Sequence, residues 1–251
     1  MKSNNGQSAA GTLSNEQLQV LITGRFGDGC LMTPSANYYY SANSIEKDVV
    51  EYKKSLLGDL CPPEIKSGIN LGFKANIIYS IRSSSLPIIT QVATKDPLEL
   101  LEEMDELGLA LWIYDDGSLH KKRMFYNICT HCYPESDNYK ISEILKRKFD
   151  ITAIPTIERK ADGREFWHLR VPKYKGAFFL SEVMRKHLPS TLHRKCISSE
   201  TIQRWSKLLE ELKSRGIDMK LENFNRSQKV KKAIELSDMS IQDIVRTYMK
   251  V

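Results

Sequence analysis

One segment of this chain occurs twice, and that duplication constrains the fold more than any other feature. Residues 21–31 read LITGRFGDGCL and residues 109–119 read LALWIYDDGSL. Superposed, Leu21 meets Leu109, Phe26 meets Tyr114, Asp28 meets Asp116, Gly29 meets Gly117 and Leu31 meets Leu119, all at an offset of 88 residues. Self-similarity at a fixed offset implies a duplicated structural unit. Helix-start signals precede both copies. Ser14 with Gln17 makes a capping box. Asp96, Pro97 and Glu99 supply an N-cap, a proline at the first helical position and a first-turn acid, which predicts a helix running into the second copy. Both copies end at Asp-Gly, where the glycine is expected to leave the helix in a left-handed conformation.

The segments that follow repeat as well. After the first copy, residues 38–44 are strand-like, and a helix is predicted over 45–60 with Val49, Tyr52, Leu56 and Leu60 as its apolar stripe. A hairpin comes next: Ile69, Leu71 and Phe73, a turn at 74–76, then Ile77, Tyr79 and Ile81. After the second copy come a strand near 124–132 and a helix over 136–149 that buries Ile141, Ile144, Leu145 and Phe149. A second hairpin (151–159, a turn at 160–163, 164–171) and a helix near 175–187 complete the pattern. These elements predict an α+β chain of two similar units: a polar tail at 1–13, a first repeat at 14–95, a second at 96–197 and a helical extension at 198–251. In the extension, Ile202, Trp205, Leu209 and Leu212 fit one amphipathic helix that stops at Gly216. Short helices at 228–236 and 240–249 resemble the first part of a helix-turn-helix; the alternative is an appendage that packs on the main body.

Composition supports two packed units. Of 251 residues, 41% are hydrophobic and 27% charged, enough apolar material for a core. No apolar run is long enough to span a bilayer, and the start has no apolar segment of a secretory signal, so the expectation is a non-membrane, intracellular protein. The five cysteines are an odd number and are expected to be free thiols. A single CxxC, Cys129 to Cys132, is read as structural because the two side chains of a continuous strand at that spacing would point to opposite faces. The net charge of +6 is compatible with a polyanionic partner without requiring one.

The candidate chemistry sits at the ends of the repeated helices. Asp28 and Asp116 occupy helix C-termini, where the helix dipole disfavours a carboxylate. A hard cation such as Mg²⁺ reverses that cost, because it seeks carboxylate and phosphate oxygens. If the two helices pack side by side, their carboxylates converge, and Thr23, Gly24, Gly27 and Ala110 are small enough to allow it. The register makes Asp116 the counterpart of Asp28. Asp115 aligns with Gly27 and is read as a secondary acid or a turn former.

These two segments resemble the paired motifs of LAGLIDADG homing endonucleases in their single-chain form. LALWIYDDGSL is a close match and LITGRFGDGCL a looser one, with Thr23 and Leu111 where the family commonly has a small residue. The resemblance covers roughly residues 15–197, including WHLRVPKYKGAFFLSEVMRKHLPSTLHRKC. It implies two αββαββα units whose antiparallel sheets form a saddle over DNA. It further implies an enzyme, a monomeric Mg²⁺-dependent phosphodiester hydrolase cutting both strands of a long asymmetric site with short 3′ overhangs. It implies Asp28 and Asp116 as catalytic metal ligands, with Gly27 and Asp115 beside them. Lys95 in the first half, and Lys195 or its neighbour Arg194 in the second, are the implied basic groups. The implied DNA contacts are Asn70, Lys74, Asn76, Ser80 and Arg82 on one hairpin and Arg164, His168 and Arg170 on the other, residues that alternate with apolar ones. The implied setting is an intron-encoded protein in a bacterial or phage-infected cell or an organelle. The rival is an intron-RNA-splicing maturase or a non-cleaving DNA-binding regulator on the same scaffold. No nucleotide-binding or zinc-protease motif supports a small-molecule enzyme.

Overall fold

The computed structural model describes residues 12–34, 36–70, 76–121, 124–160, 162–172 and 175–214. Lys74 and the helices expected at 228–236 and 240–249 lie outside the described residues. Two four-stranded antiparallel sheets, each with helices packed on it, make an α+β fold. The first stretch runs α1 (Asn15–Phe26), β1 (Gly29–Met32), β2 (Tyr39–Ser44), α2 (Lys47–Leu57), β3 (Lys66–Asn70), β4 (Asn76–Arg82) and α3 (Pro87–Thr94). A short α4 (Pro97–Glu103) leads to α5 (Glu106–Asp116), β5 (Gly117–His120), β6 (Phe125–Cys129), α6 (Glu135–Phe149), β7 (Ile154–Arg159), β8 (Glu165–Val171) and α7 (Lys175–His187). A 3₁₀ segment, Ser190–Lys195, and α8 (Ser199–Ser214) follow. The sheet orders are β1-β2-β4-β3 and β5-β6-β8-β7, the same topology twice. No described helix is long and apolar enough to cross a membrane.

The repeated helices α1 and α5 form the centre. Every residue of α5 from Leu107 to Tyr114 is buried, as is most of α1 after Leu18. A helix enclosed on all sides needs apolar residues all round, which both copies of the repeat supply. The pair runs parallel. At the N-terminal ends, the buried Gln19 accepts from the Asp105 backbone N–H at 2.9 Å and donates to the Glu103 carbonyl at 3.1 Å. A Cβ on Gly108 would come 2.3 Å from Gln19 Oε1, so glycine permits this lock. Farther along, the Phe26 and Trp112 rings meet at 5.2 Å.

Four local expectations are corrected. Ser14 and Gln17 do form the capping box of α1, but Asp96 caps only α4; the motif helix restarts at Glu106 under its own N-cap, Asp105. Neither Gly29 nor Gly117 is left-handed. The chain passes straight from helix into strand, and Gly29 is required by close approach: a Cβ there would lie 2.7 Å from the Tyr40 ring and 3.0 Å from Gly24 Cα. Gly24 faces Tyr40 and Leu31 of its own sheet. The fully buried stripe of α2 is Val49, Val50, Lys53 and Leu57, where Lys53 can lie inside because Asp115 neutralises it; of the expected stripe only Val49 belongs to it, and Tyr52, Leu56 and Leu60 are half-buried against the core beside it. In the first hairpin Asn70 pairs with Asn76, so Asn76 belongs to β4 and not to the turn.

Gly29→Ala is expected to lower unfolding free energy by about 1–3 kcal/mol through overpacking. Urea denaturation checks this, and an unchanged midpoint contradicts the close approach of Tyr40.

Candidate active site and nucleic-acid face

At the C-terminal ends of α1 and α5 three carboxylates gather: Asp28, Asp115 and Asp116. Parallel packing puts the negative poles of two helix dipoles at this point. Burial, and then the charge of Asp115, raises the pKa of Asp28. Burial, then Asp28 and Asp115, pushes Asp116 up to about 7. The close crossing of the two helix ends at Gly27 and Asp115 brings together the two aspartates that the repeat singled out.

Asp115 is committed elsewhere. Lys53 Nζ donates to both its carboxylate oxygens, at 2.8 and 2.7 Å. Their side chains are 1% and 2% exposed, so this is a fully buried ion pair joining α2 to the end of α5. Burial opposes the charge on Lys53, but Tyr40 and Asp115 outweigh it and leave the ammonium pKa raised. The buried Tyr40 hydroxyl faces the Lys53 ammonium, and burial, only partly offset by that charge, raises its pKa to about 12. Asp115 Oδ2 also accepts from the Asp28 backbone N–H at 3.2 Å. Gly27 makes room for this crossing: a Cβ there would lie 2.6 Å from Asp115 Oδ2. The carboxylate expected beside the metal is thus a bracket between the halves.

The basic neighbours also sort themselves. Arg194 turns away to Glu46, Nη2 to Oε1 at 2.5 Å, and lies over the Tyr114 ring, whose hydroxyl donates to the same Glu46. Lys195 turns inward and donates to the Tyr114 and Asp115 carbonyls, the latter at 3.2 Å. Free carbonyls at a helix C-terminus attract a cation. Burial, and then Arg194, lower the Lys195 pKa. Tyr126, bonded to Ser181 at 2.9 Å and to the Lys195 carbonyl at 2.5 Å, fixes this 3₁₀ segment.

Lys95 does not reach the centre. It pairs with Glu103 at 2.6 Å, two residues before the N-cap of α5, whereas Asp116 is the last residue of that helix. A helix of that length separates them by about 16 Å at 1.5 Å per residue. The lysine that the first half does contribute is Lys53, whose spacing from Val49, Val50 and Leu57 was the signal for it.

On the sheets, Arg82 and Arg170 are exposed at equivalent places. Arg82 pairs in register with Ser41 and lies 3.7 Å over the Tyr39 ring. Arg170 pairs with Asn127 and lies 4.8 Å over the Phe125 ring. A guanidinium stacked on an aromatic ring loses little freedom when it meets a phosphate or guanine. Ser80 donates to the Lys66 carbonyl, and exposed Arg164 pairs with Asp162 at 2.7 Å. His168 is not on the exposed face expected of it: it is 7% exposed, its Nε2 has no partner among the described residues, and burial lowers its pKa, because it sits on central strand β8 between Cys129 and Thr156. Asn70 and Asn76 close the described part of their hairpin. All five cysteines carry free thiols. The strand ends at Cys129, and Cys132 lies in the turn that follows. Among the described residues no group of three or more His, Cys, Asp or Glu side chains is arranged to hold a metal by itself.

Lys53→Met should cost about 3–5 kcal/mol in urea unfolding by stranding Asp115, and Lys53→Met/Asp115→Leu should recover most of it. The raised Asp116 pKa has a definite sign. Its folded carboxyl holds the proton more tightly than the unfolded one, so stability falls as pH climbs from 3.8 to about 7, and the cost is complete above that. The melting-temperature advantage of Asp116→Asn over the parent, without divalent cation, should therefore widen toward about pH 7 and then level off. A difference independent of pH contradicts the raised value.

Comparison with known proteins agrees with this geometry. The chain resembles the structure of the homing endonuclease I-WcaI bound to its DNA recognition sequence, with a TM-score of 0.62 at 14% identity, covering 77% of this chain and 95% of that one. It is also 36% identical over 50 residues to the "Probable intron-encoded DNA endonuclease 3" of Mycosarcoma maydis, a match spanning 20% of this chain and 37% of that relative. The model of the LAGLIDADG DNA endonuclease family matches residues 19–179, and with its two motif helices packed at the centre of two like sheets the chain belongs to that family.

Proposed function

We propose that this protein is a site-specific DNA endonuclease that breaks both strands of a long asymmetric target as a monomer. The observation that carries the reading is the convergence of Asp28 and Asp116, one from each half, between two sheets that each expose a ring-stacked arginine. Two acids and two faces in one chain match two scissile phosphates on antiparallel strands. Because the halves differ in sequence, the target is expected to be asymmetric.

The donor set suits a hard divalent cation. Asp28 and Asp116 offer carboxylate oxygens whose pKa values are raised by burial and nearby negative charge, the condition a cation relieves. Lys53 is held by Asp115 and Lys195 by carbonyls, so neither ammonium neutralises them directly. Bound Mg²⁺ would supply Lewis-acid polarisation of a phosphoryl oxygen and a coordinated water of lowered pKa. In this reading Asp28 and Asp116 hold the metal and Lys195 stabilises developing charge. Arg82 and Arg170 grip the duplex on either side. Gly27 lends space and not a ligand.

Cleavage selection on a randomised DNA library with Mg²⁺ tests the reading and yields the target. Asp28→Asn and Asp116→Asn should each abolish the double-strand break while leaving binding within about threefold, since phosphate contacts elsewhere dominate affinity. Unimpaired double-strand cutting by both variants overturns the assignment. Binding to intron RNA with no Mg²⁺-dependent cutting of DNA favours a splicing role on the same scaffold.

A further inference from the structure

The Lys53–Asp115 pair breaks the symmetry of the duplication. The offset of 88 that relates Asp28 to Asp116 also relates Gly27 to Asp115, Lys53 to Ile141 and Leu57 to Leu145. Lys53 and Ile141 are both buried on the inner faces of their helices. Where one side holds a buried ion pair between the halves, the mirrored side holds a glycine and an isoleucine. The helix ends differ accordingly. Helix α5 continues through Asp116, so that residue's backbone is held by its own helix. Helix α1 stops at Phe26, and Gly27 leaves it extended, at φ −123° and ψ −156°. The N–H of Asp28 has passed beyond the helix, and its acceptor is Asp115 Oδ2, a side chain of the other half. That oxygen is itself fixed, because Lys53 holds both carboxylate oxygens in a dry site.

We propose that Asp115, clamped by Lys53, is a positioning residue for Asp28 alone, so that one strand-cleaving centre depends on the opposite half of the chain and the other does not. The inference rests on the endonuclease reading. Asp115 touches neither the phosphate nor the metal in this account; it fixes the backbone from which the Asp28 carboxylate projects. Misplacing a reacting group by about 1 Å can cost up to about a hundredfold in rate. Losing the bracket should therefore slow the strand served by Asp28 and spare the strand served by Asp116.

The test is strand-resolved cleavage of the selected target, each strand labelled in turn, with the full chain and Mg²⁺. Asp28→Asn first identifies which strand each centre cuts. Lys53→Ile/Asp115→Gly copies the residues of the mirrored side and removes the acceptor. It should slow the Asp28 strand by roughly ten- to a hundredfold, the scale of a misplaced group, and accumulate the same nicked product as Asp28→Asn. Lys53→Met/Asp115→Leu, which fills the space with apolar atoms, should give the same bias and serves if the first variant does not fold. Lys53→Gln/Asp115→Asn keeps an acceptor for the Asp28 N–H without charge and should restore the wild-type strand ratio. Equal slowing of both strands by a folded acceptor-less variant overturns the proposal, as does failure of the amide pair to rescue the ratio. A wild-type chain that cuts neither strand overturns the endonuclease reading itself, an outcome distinct from either.

Discussion

Two helices packed in parallel bring like poles together, and most of the centre of this protein answers that constraint. The ends of α1 and α5 concentrate two negative dipole ends and three aspartates in one place. Lys53 neutralises Asp115 completely and in the dry interior. Lys195 caps the carbonyls at the end of α5. What is left is a pair of acids, Asp28 and Asp116, whose pKa values stay raised although Lys53 and Lys195 lie near enough to lower them in part. A scaffold that satisfied every charge would be more stable, and it would offer nothing to a metal ion or a phosphate.

The N-terminal ends of the same helices are arranged differently. Gln19 makes neutral hydrogen bonds to the Glu103 and Asp105 backbone, and Gly108 allows the approach. One end of the helix pair is thus locked by satisfied polar groups and the other is left electrostatically unfinished. The sheets repeat the duplication outward: Tyr39 and Phe125 each support an arginine at matching positions, Arg82 and Arg170. Duplication supplied two similar faces, and the ion pair between the halves made their centres unequal.

Much of this was legible in the residues. The repeat predicted two like units, and its register predicted that Asp28 and Asp116 would be partners. The helices predicted at 136–149 and 175–187 agree with the structure to within a residue, because their apolar spacing is regular and their flanks are clear. The errors share a cause. Lys53 is not legible as a site residue, because a lysine on a buried stripe contradicts the hydrophobic pattern unless its partner is known, and Asp115 lies 62 residues away in sequence. Lys95 is near the second motif in sequence but stands at the N-terminal end of α5, away from the acids. His168 alternates like an exposed residue, but the centre of a sheet covers it.

The sequence by itself determined the duplication, the repeated run of helix, strand, helix and hairpin, and the pairing of Asp28 with Asp116, since periodicity and register are local properties written in neighbouring residues; strands β1 and β5 and the break between α4 and α5 came only with the structure. The sequence left Arg194 and Lys195 as equal candidates one position apart. Only the tertiary structure separated them: Glu46, brought in from the other half, draws Arg194 outward, and Lys195 is left facing the carbonyls of α5. It also decided what Asp115 does. A carboxylate becomes a ligand or a bracket according to which charge lies within about 3 Å of it, and a distance across the fold is not encoded at any single position in the chain.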